Sequence, residues 1–443
     1  MKIKLPEHVH YIIEELEQHG YEAYAVGGCV RDSILGRTPD DWDITTSAKP
    51  EQVKAIFQRT IDTGIQHGTI TVMMEKCGYE VTTYRIDGEY EDSRHPKEVV
   101  FTSNLIEDLK RRDFTINAMA YSEKTGLVDV FDGIGDINRK MIRCVGEAKE
   151  RFSEDALRIL RAVRFAAQLQ FQIGEETREA IRELAPNLKN ISAERIQTEF
   201  LKLLTSKEPE RIEEAYELGI TKVVLPEFDK MMKCTQETKH HMYTVGGHTL
   251  EALKHTENNK VLRLSVLLHD CGKPEKKTFD KDGKAHFYGH AELGADMAES
   301  IMRRLKFDNN TMIKVKKLVE FHDHRPSLTK KSVKKLMVKC SPELFEDLLK
   351  VKRADTLGQS LYKREEKLAY IEELHMIYEQ VLQAKECISL KELAVNGADL
   401  LEVGIPQGKK MGEILKGLFE MVLEKPERNT KEQLIEIVKT KYL

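Results

Sequence analysis

The chain has 443 residues, of which 40% are hydrophobic, 33% charged and 7% aromatic. That length exceeds one ordinary core and calls for several modules, and no uncharged apolar run is long enough to cross a bilayer, which excludes a helical integral membrane protein. The formal net charge of −4 excludes a global cationic field, so a polyanion has to be gripped by local basic patches. The opening MKIKLPEHVHYIIEELEQHG reads as an amphipathic helix and lacks the apolar centre and cleavage site of a leader peptide, so a cytoplasmic protein is expected. Residues 1–145 mix short β-type runs (EAYAVGG, WDITT, TITVMM, EVTTYR, NAMAY, VDVF) with helical stretches, which predicts an α+β head of a small sheet with helices. From about Ser153 the pattern is helical throughout, and everything after the head is expected to be all-α. Three parts are expected there: a neck over 146–235, a histidine-rich module over 236–360 and a helical tail over 361–443. The break before the module is VVLPEFDKMMKCTQETKHH, read as a loop. A long charged helix, REEKLAYIEELHMIYEQVLQAK, leads into the glycine-punctuated tail NGADLLEVGIPQGKKMGEIL. The seven cysteines form no CxxC pair, so buried reduced thiols are expected rather than a zinc ribbon or a disulfide framework.

In PDDWDITTS, Asp41 and Asp43 sit two apart in a run of strand propensity, so their carboxylates share a face while Trp42 points away. Two such charges repel unless a cation joins them, and hard oxygen ligands favour magnesium. Alone, the pair also fits a turn at a strand edge. Upstream, AVGGCVRDSILG places Gly27 and Gly28 before a helix that carries Arg31, where phosphates can approach backbone N–H groups. The glycine turn, the arginine and the paired aspartates together suit a nucleoside triphosphate and its metal.

The order GGCVRD, DWD, LKRRDFTINAMAY, DVFDG and EDALRILRAVRF resembles the motif series of class II tRNA nucleotidyltransferases and bacterial poly(A) polymerases, of the DNA polymerase β-like superfamily. The resemblance spans roughly residues 20–205. It implies a polymerase β-like head, magnesium on Asp41 and Asp43, triphosphate contacts from Gly28 and Arg31, and ribose recognition around Arg112 and Asp113. It further implies nucleotide contacts from Asp155, Arg158, Arg161 and Arg164, and makes Glu80 the third carboxylate, which activates the attacking hydroxyl. The implied substrates are tRNA, CTP and ATP.

The helix in EDALRILRAVRF is also legible by periodicity. Arg158, Arg161 and Arg164 fall in one arc and Ile159, Leu160 and Val163 in the opposite one, so the arginine side faces an anion or an ion-paired solvent face. Asp155, one turn before Arg158, supplies an acceptor where the arginine supplies donors. Cytosine and adenine each present an exocyclic amine beside a ring-nitrogen acceptor, and uracil and guanine present the reverse. A fixed Asp–Arg pair therefore selects C and A with no nucleic-acid template.

The second constellation is His248, His269-Asp270 in LSVLLHDCGK, His290, His322 and Asp355, a set able to hold one or two divalent metals and activate water. In that order these residues resemble the HD phosphohydrolase superfamily over about 240–360. The resemblance implies His248, His269, Asp270 and Asp355 as metal ligands, with His290 and His322 for a second metal. KVKK at 314–317 and KKSVKKLMVK at 330–339 are candidate phosphate grips, as are Lys409 and Lys410 before the tail helix, which also resembles the family's tRNA-binding tail.

The reading is a template-independent enzyme that adds CMP, CMP and AMP to the tRNA 3′ end with release of pyrophosphate. A-only addition and poly(A) synthesis stay open. CC-only addition is disfavoured, because RIDGEYEDSRHPKEVVFTSNLIEDL looks like a full-length flexible loop, and in the family a shortened loop accompanies CC-only addition. From another class stand an HD phosphohydrolase with an RNA-binding head and a tRNA-binding protein without catalysis.

Overall fold

The computed structural model describes residues 2–88, 99–237 and 242–443. Its contacts divide the chain into two compact units, Met1–Pro226 and Glu227–Leu443.

The first unit begins with α1 (Glu7–Gln18), which buries Val9, Ile12, Ile13 and Leu16, the spacing of one helical face. Strand β1 (Ala23–Val26) is buried at all four positions, as a strand covered on both sides must be. After α2 (Gly28–Ile34) come β2 (Ile44–Thr46), α3 (Pro50–Ile56), β3 (Thr60–Gly64), β4 (Thr69–Met74) and β5 (Cys77–Thr83). A two-stranded ribbon, β6 (Arg85–Asp87) with β7 (Val99–Phe101), precedes α4 (Leu105–Lys110). The stretch read as a flexible loop thus has a paired stem, and its residues 89–98 lie outside the described residues. Strands β8 (Met119–Ser122) and β9 (Gly126–Asp129) complete a seven-stranded sheet of order β3-β4-β5-β2-β1-β8-β9. β2 lies antiparallel to β1 and parallel to β5, with Ile44 opposite Val81.

After α5 (Gly133–Arg139), helices α6 (Ala148–Glu154), α7 (Leu157–Leu169), α8 (Glu175–Leu184), α9 (Ala193–Leu204), α10 (Ile212–Glu217) and α11 (Thr221–Val224) close the unit. The expectation of an all-α chain after the head is corrected by one short parallel pair, β10 (Met141–Ile142) with β11 (Gln172–Ile173).

The second unit opens with α12 (Pro226–Lys233), so the segment read as a loop is helical there: Pro226 takes the first helical position and Phe228 and Met231 are buried. Residues 238–241 of that segment lie outside the described residues. Helices α13 (Val245–Lys254) and α14 (Lys260–Leu268) follow, then α15 (Lys273–Lys276) and a hairpin, β12 (Thr278–Phe279) with β13 (Ala285–His286), a second departure from all-α. Next come α16 (His290–Arg304), α17 (Asn309–Phe321), α18 (Lys330–Cys340), α19 (Phe345–Gly358) and the expected charged helix α20 (Arg364–Gln383). The tail helices α21 (Gly397–Glu402), α22 (Lys409–Glu424) and α23 (Lys431–Tyr442) share a core around Leu400, Ile414, Leu418, Val422, Leu434 and Val438.

The basic runs are largely internal ion pairs rather than a free cationic face. Lys330 and Lys334 meet Glu386, Lys331 and Lys335 meet Glu424, and Lys316 meets Asp296 and Glu299. Six cysteines are buried as expected, but Cys77, at the turn into β5, is exposed. Among the described residues no helix is long and apolar enough to cross a membrane.

Candidate functional site

Asp41 and Asp43 lie in the extended segment just before β2, not within the strand itself. The Val26 amide donates to the Asp43 carbonyl at 2.9 Å and anchors the segment to the end of β1. Both carboxylates are exposed, while half-buried Trp42 turns away and lines a cavity of about 550 Å³ with Ile3, Leu5, Ile34 and Arg37. The parallel register of β2 and β5 sets Glu80 beside Asp43. Partial desolvation, and then the Asp43 and Asp41 charges, raise the pKa of Glu80. Asp43 is raised by desolvation and by Asp41, against the pull of Arg112. Asp43 and Glu80 are thus partly desolvated carboxylates repelled by their acidic neighbours, and a hard divalent cation would relieve that repulsion.

Gly27 has φ +83°, a conformation that favours glycine, and the Arg112 guanidinium lies over it, 2.9 Å from where a Cβ would sit. Arg112 is placed by Asp108, a fully buried carboxylate that sequence reasoning missed. Asp108 accepts from Thr45 Oγ1 at 3.1 Å, from the Arg85 amide at 3.3 Å and from Arg111 Nε at 2.9 Å, and it lies 3.7 Å from Arg112. It ties together the strand that follows Asp43, the stem of the β6–β7 ribbon and the RRD arginines. The signal was weak, since an aspartate four residues before an arginine on a short helix is ordinary.

Arg31 donates to Asn117 at 2.6 Å, and Asn117 and Arg161 both donate to Asp113, at 3.1 and 2.8 Å. Burial opposes ionisation of Asp113, but Arg161 and Asn117 outweigh it and hold its carboxyl well below the usual carboxylate range. Arg164 pairs with buried Glu199 at 2.7 Å. The guanidinium carbons of Arg31, Arg161 and Arg164 lie 5.0, 5.3 and 3.8 Å from the centre of the Phe165 ring. Burial, and the neighbouring arginines against the pull of Glu199, bring Arg164 down to about 10. Cations crowded around one aromatic ring, an organiser the sequence did not single out, are the electrostatic counterpart of a polyphosphate.

The supposed single helix through EDALRILRAVRF is broken. Asp155 is extended between α6 and α7, where its carboxylate accepts from the Leu157 amide at 3.1 Å in the manner of a cap. Its carbonyl accepts from the Arg158 amide at 3.0 Å, so it does stand one turn before Arg158, but as a cap and not as part of one continuous helix. The arginine that Asp155 holds is Arg195, at 2.7 Å, while Arg158 donates to Glu154 and to the carbonyls of Arg151 and Arg111. Arg161 and Arg164 are likewise paired. In DVFDG, Asp129 accepts from the amides of Gly133 and Ile134 at 2.7 and 2.8 Å, fixing the turn into α5.

In the second unit all six expected residues come together. Asp270 Oδ2 lies 3.1 Å from His269 Nε2 and 3.7 Å from His248 Nε2, and its Oδ1 lies 3.4 and 3.6 Å from Nε2 of His290 and His322. Asp355 lies 2.9 Å from His248. Among the described residues, the groups of three donors lying within 4.8 Å of one another are His248–His269–Asp270 and Asp270–His290–His322, which share Asp270. The fit to metal is strengthened by the far side of each ring. Nδ1 of His269, His290 and His322 lies 2.6, 2.8 and 2.6 Å from the carbonyls of Val266, Phe287 and Val319, so each Nδ1 carries a proton and each Nε2 faces the cluster. Burial opposes a charged His269, but Asp270 and Asp355 override it and push it up to about 10; a bound dication would displace that proton. Two lysines missed by sequence reasoning complete the surroundings: Lys273, 2.7 Å from Asp270, and buried Lys352, which donates to the carbonyls of His322 and His324 at 2.6 and 2.7 Å.

Residues 23–143 match the poly(A) polymerase head domain, 170–232 the RNA- and SrmB-binding region of polymerase A, and 284–438 domain 2 of tRNA nucleotidyltransferase. The CCA-adding enzyme of Lactobacillus delbrueckii subsp. bulgaricus is 54% identical over 197 residues, covering 44% of this chain and 50% of that protein. The chain thus spans about half the length of this and similar curated relatives. Against the CCA-adding enzyme of Limosilactobacillus fermentum, identity is 36% over 420 residues, 93% of this chain and 91% of that protein. A crystal structure of the Bacillus stearothermophilus CCA-adding enzyme in complex with CTP shares 31% identity and superposes with a TM-score of 0.70 over 99% of both chains. The Thermotoga maritima CCA-adding enzyme complexed with tRNA, at 20% identity and a TM-score of 0.59 over 99% of this chain and 100% of that one, shares the fold. With its motif series in place and a relative matched over nearly its whole length, the chain belongs to the CCA-adding enzyme family.

Proposed function

We propose that this chain adds CMP, CMP and AMP in turn to the 3′ end of tRNA, in the cytoplasm, using CTP and ATP. The observation that carries the reading is Glu80 standing in register beside Asp43 and sensing both aspartates, opposite the Arg112-covered glycine turn. The tRNA 3′-hydroxyl attacks the α-phosphorus, the bond to the β-phosphate breaks and pyrophosphate leaves, while Glu80, whose raised pKa suits a base, takes the hydroxyl proton. Asp41 and Asp43 would hold magnesium, which supplies charge neutralisation at the phosphates. Gly28 and Arg31 receive the triphosphate near the arginines around Phe165, and Arg112 and Asp113 orient the ribose. Asp155 and Arg158 read the base edge. Since Arg195 and Glu154 occupy them here, the incoming nucleotide has to displace those partners. A four-part organisation (1–145, 146–235, 236–360, 361–443) underlies this division of labour.

A second chemistry is favoured by one specific observation, the three inward-facing imidazoles around Asp270. His248, His269, Asp270 and Asp355, with His290 and His322, would hold one or two divalent metals in an HD-type phosphohydrolase site.

The test is to incubate the protein with tRNA lacking its CCA end, adding each NTP singly and then CTP with ATP, and to read product lengths. Two residues added with CTP alone and three with both support CCA addition. Extension only after tRNA already ends in CC marks an A-only enzyme, and long products with ATP alone mark a poly(A) polymerase.

A further inference from the structure

The cavity of about 550 Å³ onto which Trp42 turns is apart from the carboxylate site, since none of Asp41, Asp43, Glu80 and Arg112 lines it. Its size falls within the roughly 300–1,000 Å³ usual for small-ligand sites. One wall is Trp42, the chain's single tryptophan, half-buried and carried between the two aspartates. The rim is cationic. Ile3 and Leu5 are buried while Lys2 and Lys4, which alternate with them, stay exposed, and Arg37 joins the lysines from the turn after α2. No acidic side chain lines the cavity. Among the described residues the Arg37 side chain donates only to the Gln168 carbonyl, at 3.5 Å, and Lys2, Lys4 and the Trp42 indole N–H meet no acceptor. These unmet groups are all donors. An aromatic face ringed by unmet donors and positive charge calls for a planar ligand rich in acceptors and negative charge.

We propose that this cavity is an additional nucleotide site, separate from the Asp41–Asp43 face, which takes a nucleoside phosphate with its base stacked on Trp42 and its phosphate held by Lys2, Lys4 and Arg37. Inorganic phosphate would neutralise the rim and leave the indole unused, and an uncharged ring would stack but leave three cations uncompensated. A base joined to a phosphate meets both. Trp42 stands between Asp41 and Asp43 in one extended segment, so a ligand that holds the indole also holds the backbone that carries both carboxylates. A free mononucleotide and one residue of an RNA strand share this chemistry.

With one tryptophan in the chain, intrinsic fluorescence reports on this wall, and nucleotide held elsewhere is silent unless it moves Trp42. The experiment titrates the full chain, freed of divalent metal, with AMP, adenosine and ribose 5-phosphate. AMP quenches the indole saturably, and adenosine and ribose 5-phosphate each bind weaker by about tenfold or more. Lys2→Ala, Lys4→Ala and Arg37→Ala combined weaken AMP binding by about tenfold or more, whereas Arg112→Ala, on the carboxylate face, stays within about twofold of wild type. Calorimetry separates stacking on the ring from mere filling of the cavity: Trp42→Leu loses about tenfold in affinity and Trp42→Phe stays within about threefold. Repeating the titration with a short RNA in place of AMP distinguishes the sources, the ligand being whichever form quenches at lower concentration through Arg37. The proposal is overturned by an absent quench, by a quench that survives the triple variant and disappears in Arg112→Ala, by ribose 5-phosphate binding as tightly as AMP, or by wild-type AMP affinity in Trp42→Leu.

Discussion

Asp41, Asp43 and Glu80 are exposed side chains at two adjoining central strands of the sheet, whereas five of the six histidine-cluster residues are buried and the Asp355 side chain is 18% exposed. The first set has Asp43 and Glu80 raised by partial burial and by acidic neighbours, close to arginines paired with Asp113 and Glu199. The second has imidazoles locked by backbone carbonyls. The contrast teaches that a site which must admit a large, changing substrate leaves its charges to be completed by metal and nucleotide. A site of fixed ligands is completed by the protein before anything binds. Loss of a head carboxylate should therefore cost chemistry, and loss of a cluster residue should cost stability and metal.

The largest effect is expected from Asp41→Ala and Asp43→Ala, each lowering nucleotide addition by roughly a thousandfold or more, with tRNA affinity nearly intact in a filter-binding titration. Substantial residual addition by both variants removes them from the catalytic role. Asp270→Ala should act the other way. It strands buried Lys273 and His269 without their carboxylate, at a cost of about 3–5 kcal/mol in metal-free protein, visible as an earlier unfolding transition. Nucleotide addition below the unfolding range should stay close to wild type and any phosphohydrolase activity should vanish; a folded variant that no longer adds nucleotides would show that the two sites are not independent.

Between these extremes lies base selection. Asp155→Ala should lose about 1–3 kcal/mol of preference for C and A over U and G, read from relative kcat/KM for the four NTPs, and Arg158→Ala should lose rate as well. If both variants slow equally on all four nucleotides, these residues hold phosphate and do not read bases. Asp108→Asn keeps its shape but gives up charge toward Arg111 and Arg112. The expectation is a rise in KM for NTP worth about 1–2 kcal/mol with unchanged tRNA affinity; an unaltered KM would mean that Arg112 is placed without it. The smallest effect is expected at Asp308, which caps α17 by accepting from the Thr311 amide at 2.8 Å and its hydroxyl at 2.7 Å. Asp308→Ala should cost about 1 kcal/mol. These bonds bring its folded pKa down to about 2. The cap's contribution is thus present above the ordinary aspartate pKa and lost as pH falls toward 2, and wild type and variant should converge in stability at acid pH.

What the sequence made legible follows from what its signals encode. Period-2 and apolar runs placed β1, β4 and β5, and 3.6-residue spacing placed α1, α9 and α20, because burial of one face is written locally. The histidine set was legible because its residue types are rare together. Asp155 was read into one continuous helix because arginine spacing alone does not reveal a helix break that a side-chain cap creates. The ion pairing of the lysine runs was hidden because their partners, Glu386 and Glu424, lie far along the chain. Asp108, Phe165 and Arg195 escaped for the same reason: each acquires its role only when separate segments meet.

The exposed thiol at the start of β5 has a practical consequence. Burial pushes Cys29 up to about 11 and Cys144 and Cys340 up to about 12, and it raises Cys234, Cys271 and Cys387 as well, so none of them presents a ready thiolate near neutrality. Cys77 stands in water on the strand that carries Glu80. A maleimide dye added to the unaltered protein should settle on that one position, giving a spectroscopic handle on the strand that carries Glu80 without engineering a single cysteine away.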